Sequence, residues 1–491
     1  MKFLNFFVVL CSLASATPVT VIYTANRQGE IEPCGCQVNQ VGGLNRMAAF
    51  IEAERAKKTP VLVVDSGDTF FSNLSIPDTR LKMESLRAEL IASSYKDMGV
   101  RFLLPGERDF SQGAEKLFQL KTQAGLKLVA ANLSYSDDPA FFSKYEIVRE
   151  AGHTILVTGV VDPSLYSFPG ITTRAAEQAL LEVLSETKAL NPTSILVLSH
   201  LGSKQDEVLA AKIPGVHFLG AHSQDIYPKG LRVADSALFQ PQNEGQQIGV
   251  FRLELGQPLY KEGELLGLSK DWDLKNSTSK KMQKYYSDLK KLNAERVISK
   301  TKTASAEKPY VANPFVCRTC HEKQFNFWAG TKHASAYLVL YSKNQHFDPE
   351  CIGCHSLGFE SPLGFDLIAR PIELKTKEKK GAAPFVEQLM LKVFHNDAQK
   401  PLDSRVEPER YKKLHSAYWE EVEKAKDQMK KIFIGVQCEH CHGNRNGHPS
   451  GGVMTQKKVN LDTCVQCHRA PNAPEFDPKS ITKVACPLMK G

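Results

Sequence analysis

The sequence predicts two domains of different class, an α/β layered sandwich followed by a mainly α domain organised around cysteine–histidine motifs. Three observations carry this. Short apolar runs alternate with helical patterns from residue 18 to about 258. Four C-x-x-C-H motifs follow: Cys317-Arg-Thr-Cys320-His321, Cys351-Ile-Gly-Cys354-His355, Cys438-Glu-His-Cys441-His442 and Cys464-Val-Gln-Cys467-His468. Between the second and third motifs the chain reads as helix near 385–394 and 407–433.

The motif has a chemical reason. Two thiols three residues apart can form thioethers to the two vinyl groups of one porphyrin, and the adjacent His then lies beneath the iron. Zinc ribbons built from C-x-x-C halves would leave the His after every second Cys unexplained. Four covalent haems c are therefore expected. They bury enough apolar surface to replace a conventional core, leaving helices and loops to wrap them and little β-structure.

From the N-terminus, Lys2, the apolar run 3–13 and Ala14-Ser15-Ala16 read as a secretory signal over 1–16. The bulky Leu10 before Cys11 argues against a lipoprotein cysteine. No later stretch is apolar enough to cross a membrane. A soluble, periplasmic protein is expected, since covalent haem attachment belongs outside the cytoplasm. Eight of the 12 cysteines lie in the motifs, and Cys34, Cys36 and Cys486 remain after signal removal. Cys34-Gly-Cys36 reads equally as a redox or metal pair and as a packed turn with spectator thiols.

The net charge of +8 is not a nucleic-acid signature. Residues 306–491 carry 27 Lys/Arg against 21 Asp/Glu, a difference of +6, which haem propionates would neutralise. No Arg/Lys stripe interleaved with aromatics is present. The partners expected are redox proteins, with no nucleic acid; the oligomeric state is left open.

Within the first domain, 19–24, 61–64, 102–104, 128–131, 154–160, 194–199 and 216–219 read as buried strands. Residues 44–56, 82–98 and 175–190 read as helices, and 237–240 and 248–255 as closing strands. Polar residues gather at the strand ends: Asp65-Ser-Gly-Asp68, Asn132, Ser199-His200 and Gly220-Ala-His222-Ser-Gln224. Strand-end loops are where α/β domains place their sites. His153 and His217 read as ordinary strand-edge histidines.

These stretches resemble the metallophosphoesterase domain of the 5′-nucleotidase family over 17–258. Residues 23–30 resemble its opening strand and D-x-H, 65–68 its G-D, 106–110 its G-N-H-E-F, 198–202 its L-S-H-L-G and 220–224 its G-H-x-H. The resemblance implies a metallophosphoesterase-like sandwich, and for intact sites two divalent metals and a metal-bound hydroxide attacking a phosphate ester. The departures are specific. Asn26 and Gln28 replace the Asp and His of D-x-H, Glu107 and Arg108 replace Asn and His, and Gln224 replaces the last His. The first metal site keeps only the shared Asp68. The second keeps Asp68, His200 and His222, with Glu107 as a fourth ligand, a set suited to a single divalent ion. A retained scaffold with a dead site is the expected outcome, ahead of a one-metal site, catalytic or structural, and of full two-metal activity.

Residues 259–312 read as a helical connector, in which Met282, Tyr285, Tyr286, Leu289, Leu292 and Val297 recur at near-helical spacing. Residues 313–491 read as the tetrahaem domain. Its motifs resemble the multihaem cytochrome c554-like family, most specifically over 317–340, where Phe327-Trp328, Thr331 and His333-Ala-Ser-Ala-Tyr-Leu follow the first motif, and over 435–448. The resemblance implies distal-ligand roles for His333 and His448. His333 follows His321 by twelve residues, about 18 Å along a helix, so it should serve another haem. His415 lies on an apolar helical face with Tyr411, Tyr418, Val422, Ala425, Met429 and Ile432 and is a further candidate, as are His346 and His395. His440 points away from its own haem plane.

The leading expectation is electron transfer. A haem oxidoreductase acting on a small nitrogen or sulfur species at a five-coordinate haem, and a phosphoesterase with one remaining metal, are the alternatives, in that order.

Overall fold

The computed structural model describes residues 17–33, 40–78, 80–222, 225, 227, 229–255, 263–300, 310–346, 348–359, 361, 364–365, 372–375, 385–397, 402, 407–443 and 461–468. The signal segment, Cys34, Cys36, Gln224, His448 and Cys486 lie outside them. The chain forms two compact units, one running to Lys281 and the other from Met282.

In chain order the first unit contains β1 (Val19–Thr24), α1 (Leu44–Ala56), β2 (Val61–Asp65), α2 (Leu81–Met98), β3 (Val100–Leu103), α3 (Gly113–Ala124), β4 (Lys127–Leu128), β5 (Leu133–Tyr135), β6 (Tyr145–Glu150), β7 (His153–Val161), β8 (Ile171–Thr173), α4 (Ala176–Thr187), β9 (Ser194–His200), α5 (Ser203–Lys212), β10 (His217–Gly220), β11 (Leu231–Val233), β12 (Ser236–Phe239), β13 (Gln247–Leu253) and β14 (Glu264–Gly267). They make two six-stranded sheets, ordered β14-β13-β1-β2-β3-β4 and β11-β12-β10-β9-β7-β6. β1, β2, β3 and β4 run parallel, as do β7, β9, β10 and β12. Parallel strands buried on both faces explain the near-continuous apolar runs read from sequence.

The sheets are tied to each other by buried polar bonds. The Tyr23 hydroxyl donates to the Gly220 carbonyl at 2.7 Å, and the Ser66 hydroxyl to the Leu219 carbonyl at 2.7 Å. On the second sheet, Leu180, Val183, Leu209 and Ala210 of α4 and α5 pack with Leu156, Val197 and Phe218. In the first sheet β14 pairs with β13, so that sheet takes in part of the stretch read as connector. Arg46 reinforces the closure through a bidentate ion pair with Asp273, Nε to Oδ1 at 2.6 Å.

The helix α6 (Ser277–Lys300) buries Met282, Tyr285, Tyr286 and Leu289 of the expected stripe; Leu292 is half-buried, and the side chain of Val297 lies outside the description. The second unit continues with α7 (Pro314–Arg318), α8 (Glu322–Ala329), α9 (Ala336–Ser342), α10 (Pro349–His355), β15 (Ile372–Leu374), α11 (Phe385–Val393), α12 (Pro408–Ala425), β16 (Met429–Ile432), α13 (Cys438–His442) and α14 (Leu461–Val465). Among the described residues its β-structure is one two-stranded ladder, β15 with β16, and one bridge, Ser356 with Ile434.

Two expectations need correction here. The helix read over 407–433 stops at Ala425. Met429 and Ile432 leave its face and pair in β16, because their three-residue spacing suits a helix stripe and an irregular ladder equally. The second unit also has an apolar core of its own. Leu338, Met390, Leu402 and Phe433 are fully buried, with Leu389, Leu414, Tyr418 and Ile434 around them. Side chains of the insert between the second and third motifs build this cluster, in an interior expected to be largely porphyrin.

Candidate functional site

Asp68, Glu107, His200 and His222 converge in the first unit. Each offers a ligand atom, and these atoms lie within 4.8 Å of one another. Topology brings them together: Asp68 follows β2, Glu107 opens the turn after β3, His200 ends β9 and His222 follows β10. All four stand at the carboxyl ends of parallel strands, two from each sheet. Gly67, at φ 97°, lets the Asp68 loop pass beneath the next one. A Cβ there would overlap the Leu104 carbonyl and the Gly106 amide. The Asp109 carboxylate accepts from the N–H groups of Thr69 (2.8 Å), Phe70 (2.9 Å) and Gly106 (2.9 Å), which locks these two loops together.

The backbone holds strain at this place. Asn26, Gln28, Asp68 and His222 all take positive φ, between 51° and 57°. Such conformations cost of order 1–3 kcal/mol each and persist where the surroundings enforce them.

His200 is fully buried, with Nε2 at 2.6 Å from Glu107 Oε2 and 3.8 Å from Asp68 Oδ1. His222 Nδ1 lies 3.4 Å from Glu107 Oε1. The Ser66 carbonyl, 3.3 Å from His200 Nδ1, favours the Nδ1–H tautomer and directs Nε2 into the cluster. Burial opposes charging His200, but Asp68 and Glu107 outweigh it and raise its pKa to about 9. Burial likewise works against ionising Glu107, yet the hydrogen bond and charge of His200, with His222, bring it down to about 2. Burial pushes Asp68 up, with His200 opposing and Glu107 adding to the rise. Two carboxylates and two imidazoles at this spacing fit one divalent transition ion.

The positions that depart from the 5′-nucleotidase pattern have other tasks. The Asn26 Oδ1 accepts from the His222 N–H at 3.1 Å, so the amide shapes a loop. Its Nδ2 is buried without a partner. Arg108 donates its backbone N–H to Asp68 Oδ1 at 3.1 Å, and its Nε stands 3.5 Å from Asp68 Oδ2. Its Nη1 donates to the Ser72 carbonyl at 2.9 Å. The sequence marked Arg108 as a departure but gave no sign of this pairing, which depends on the meeting of two loops.

In the second unit every C-x-x-C-H is one helical turn. α7 and the turn after it carry Cys317, Cys320 and His321; α10 carries Cys351, Cys354 and His355; α13 carries Cys438, Cys441 and His442; α14 and its following turn carry Cys464, Cys467 and His468. The His321 and His468 N–H groups donate to the Cys317 and Cys464 carbonyls at 2.9 and 2.8 Å. An i, i+4 relation sets the first Cys and the His on one face.

The segment 432–440 gathers the motifs. Gly435 N–H donates to the His355 carbonyl (2.9 Å), and Val436 N–H to the His333 carbonyl (3.0 Å). Trp328 Nε1 donates to the Val436 carbonyl at 2.8 Å. The Glu439 carboxylate accepts from the N–H groups of Val311 (3.0 Å) and Ala312 (2.7 Å), just ahead of the first motif. A hydrogen bond with Cys438 draws the Cys317 thiol below its usual pKa, so the first and third motifs meet.

The histidines divide into two groups. His355 donates from Nδ1 to the Ala336 carbonyl at 2.7 Å, which fixes the ring and makes Nε2 its acceptor nitrogen. Burial holds His333, His355 and His468 below the usual imidazole pKa, the neutral form that ligation requires. The rings of His333 and His468 stand 5.8 Å apart. His440, by contrast, accepts at Nδ1 from Gln437 N–H and faces the Ser356 carbonyl with Nε2, both at 2.9 Å, a structural role. His415 Nδ1 meets the Ser335 hydroxyl at 2.7 Å, and the ring also bonds the Ala329 backbone. His346 is pushed down to about 3 by burial, against the Tyr341 ring.

The surroundings fit haem. Val316, Phe327 and Val465, at or beside the motifs, remain more than a third exposed, which suits apolar side chains meant to lie against a porphyrin. Trp419 Nε1 is buried without a partner, beside Phe315 and Phe325 of the first motif's helices.

Residues 316–375 match the family described as cytochrome c554 and c-prime. The N-terminal half is similar to 5′-nucleotidases. Identity is 25% over 194 residues with the Bos taurus protein, covering 37% of this chain and 33% of that one. It is 23% over 233 residues with the Homo sapiens protein, covering 44% and 39%. Among solved structures, the 5′-nucleotidase precursor from Thermus thermophilus aligns at 20% identity and TM-score 0.49, over 60% of this chain and 61% of that one. The chain spans between a third and two fifths of these two curated relatives. It thus joins a 5′-nucleotidase-like α/β half to a segment matching the cytochrome c554 family.

Proposed function

We propose that this chain is an exported, periplasmic tetrahaem cytochrome c that transfers electrons between redox partner proteins, fused to a metallophosphoesterase-like domain without two-metal hydrolytic chemistry. The observation that carries the reading is the gathering of four C-x-x-C-H turns in one unit, with His355 oriented by a backbone carbonyl. Haem, when attached, supplies the one-electron chemistry. The chain's own residues hold it. Cys317, Cys320, Cys351, Cys354, Cys438, Cys441, Cys464 and Cys467 would hold it through thioethers, His321, His355, His442 and His468 would bind the iron beside them, and His333, His448 and His415 would supply further iron ligands. No helix among the described residues is long and apolar enough to cross a membrane.

In the N-terminal domain, Asp68, Glu107, His200 and His222 hold a single divalent ion, while Asn26 and Gln28 forgo the second. Hydrolysis through a bridging metal pair is then closed. The domain serves as a scaffold or docking element.

The test is the mass and spectrum of the exported protein. Four haem additions, a Soret band and reversible reduction are expected. A chain no heavier than its polypeptide, or a phosphate ester turned over with Mn²⁺ and lost in His200→Ala, would overturn the reading.

A further inference from the structure

We infer that His333 serves the iron of the fourth motif, as the axial partner of His468 across one haem. The inference rests on the tetrahaem reading and names the iron that His333 completes.

The turn that carries His333 is pinned on every side except at that imidazole. Its backbone carbonyl accepts from Val436 N–H at 3.0 Å. The Ser335 hydroxyl, fully buried, sits between the Tyr411 hydroxyl (2.6 Å) and His415 Nδ1 (2.7 Å). The Ala336 carbonyl is taken by His355 Nδ1 at 2.7 Å. Backbone and neighbours are thus committed, and the imidazole is delivered to a fixed place.

That place faces His468, with centroids 5.8 Å apart and ring planes at 69°. Two imidazoles on opposite sides of one metal, each bonded at about 2 Å, have their centroids about 6 Å apart. The observed separation already matches an axial pair. The nearby His440 is engaged elsewhere, with both nitrogens on Gln437 and Ser356, and His415 meets the Ser335 hydroxyl through Nδ1. His333 stands twelve residues beyond His321, past the end of α8 at Ala329 and the turn in which Thr331 N–H bonds back to the Trp328 carbonyl.

The experiment uses the full haem-loaded chain. His333→Ala should convert one haem in four from low spin to high spin by electron paramagnetic resonance, and added imidazole should restore it. In a chain carrying Cys464→Ala and Cys467→Ala, three haems by mass, His333→Ala should convert none of the remaining three. As a second route, His333→Met with His468→Met should give one haem with the near-infrared band of two Met ligands. Two haems with His–Met bands would place the residues on different irons and overturn the inference. So would conversion of one of three haems in the fourth-motif deletion, or a His333→Ala protein that stays wholly low spin. A chain without haem by mass would sink the tetrahaem reading first, and is recognised before any spectrum is taken.

Discussion

Glu107 shows how much one side chain can alter a site. An Asn at this position would offer a neutral amide; Glu107 adds a buried negative charge, bonded to His200 at 2.6 Å. Glu107→Gln should lower Mn²⁺ or Zn²⁺ affinity at least about tenfold by isothermal titration, the loss that supporting contacts alone can cause. An unchanged affinity would remove Glu107 from the ligand set. His217 gives a second residue-scale outcome. Burial lowers its pKa to about 4, and its Nδ1 accepts from Ala237 N–H at 3.3 Å. The folded state keeps it neutral while the unfolded chain protonates near 6.5. Its contribution is complete above pH 6.5 and fades as pH falls toward 4, by up to about 3 kcal/mol. Urea midpoints at pH 7 and pH 4.5 should therefore fall further apart in the wild type than in His217→Gln. The sequence exposed Asp68, His200, His222 and the motif residues, because side chains chosen for chemistry have a type and a spacing. It hid Ala336 and Ser66, which act through backbone carbonyls that any residue supplies.

At the scale of elements, the parallel strands of the first unit were readable because burial on both faces leaves unbroken apolar runs. The short strands β5, β8 and β11 were not, since three residues carry no period. β16 was misread as the end of a helix because Met429 and Ile432 keep a helix-like three-residue spacing. The turn-shaped motifs were legible in full, since their spacing is itself the geometry. The link from α8 to the segment before the third motif rests on Trp328, whose Nε1 donates to the Val436 carbonyl. Trp328→Phe keeps most of the ring packing and loses that bond. Stability should drop by about 1 kcal/mol, read as a lower urea midpoint with an unchanged slope.

For the whole molecule, sequence foresaw two architectures in series but misjudged what fills the second. Its apolar core runs through α9, α11, α12, β15 and β16. A chain produced without haem attachment should therefore keep the backbone amides of α11 and α12 protected from hydrogen exchange. Loss of that protection would mean that porphyrin is indispensable to the interior after all. The first unit recruits residues to Lys281, further than pattern alone suggested, because β14 extends the sheet beside β13 and Arg46 reaches Asp273 across a long sequence separation.

The turn at 333–336 has a last consequence. Its imidazole faces His468 while its third following residue grips the ring of His355. Any change of bond length on one side tugs on the orientation and electron richness of the other. With haem attached, the second and fourth centres should titrate as a cooperative pair, their midpoint potentials moving together when either axial environment is altered.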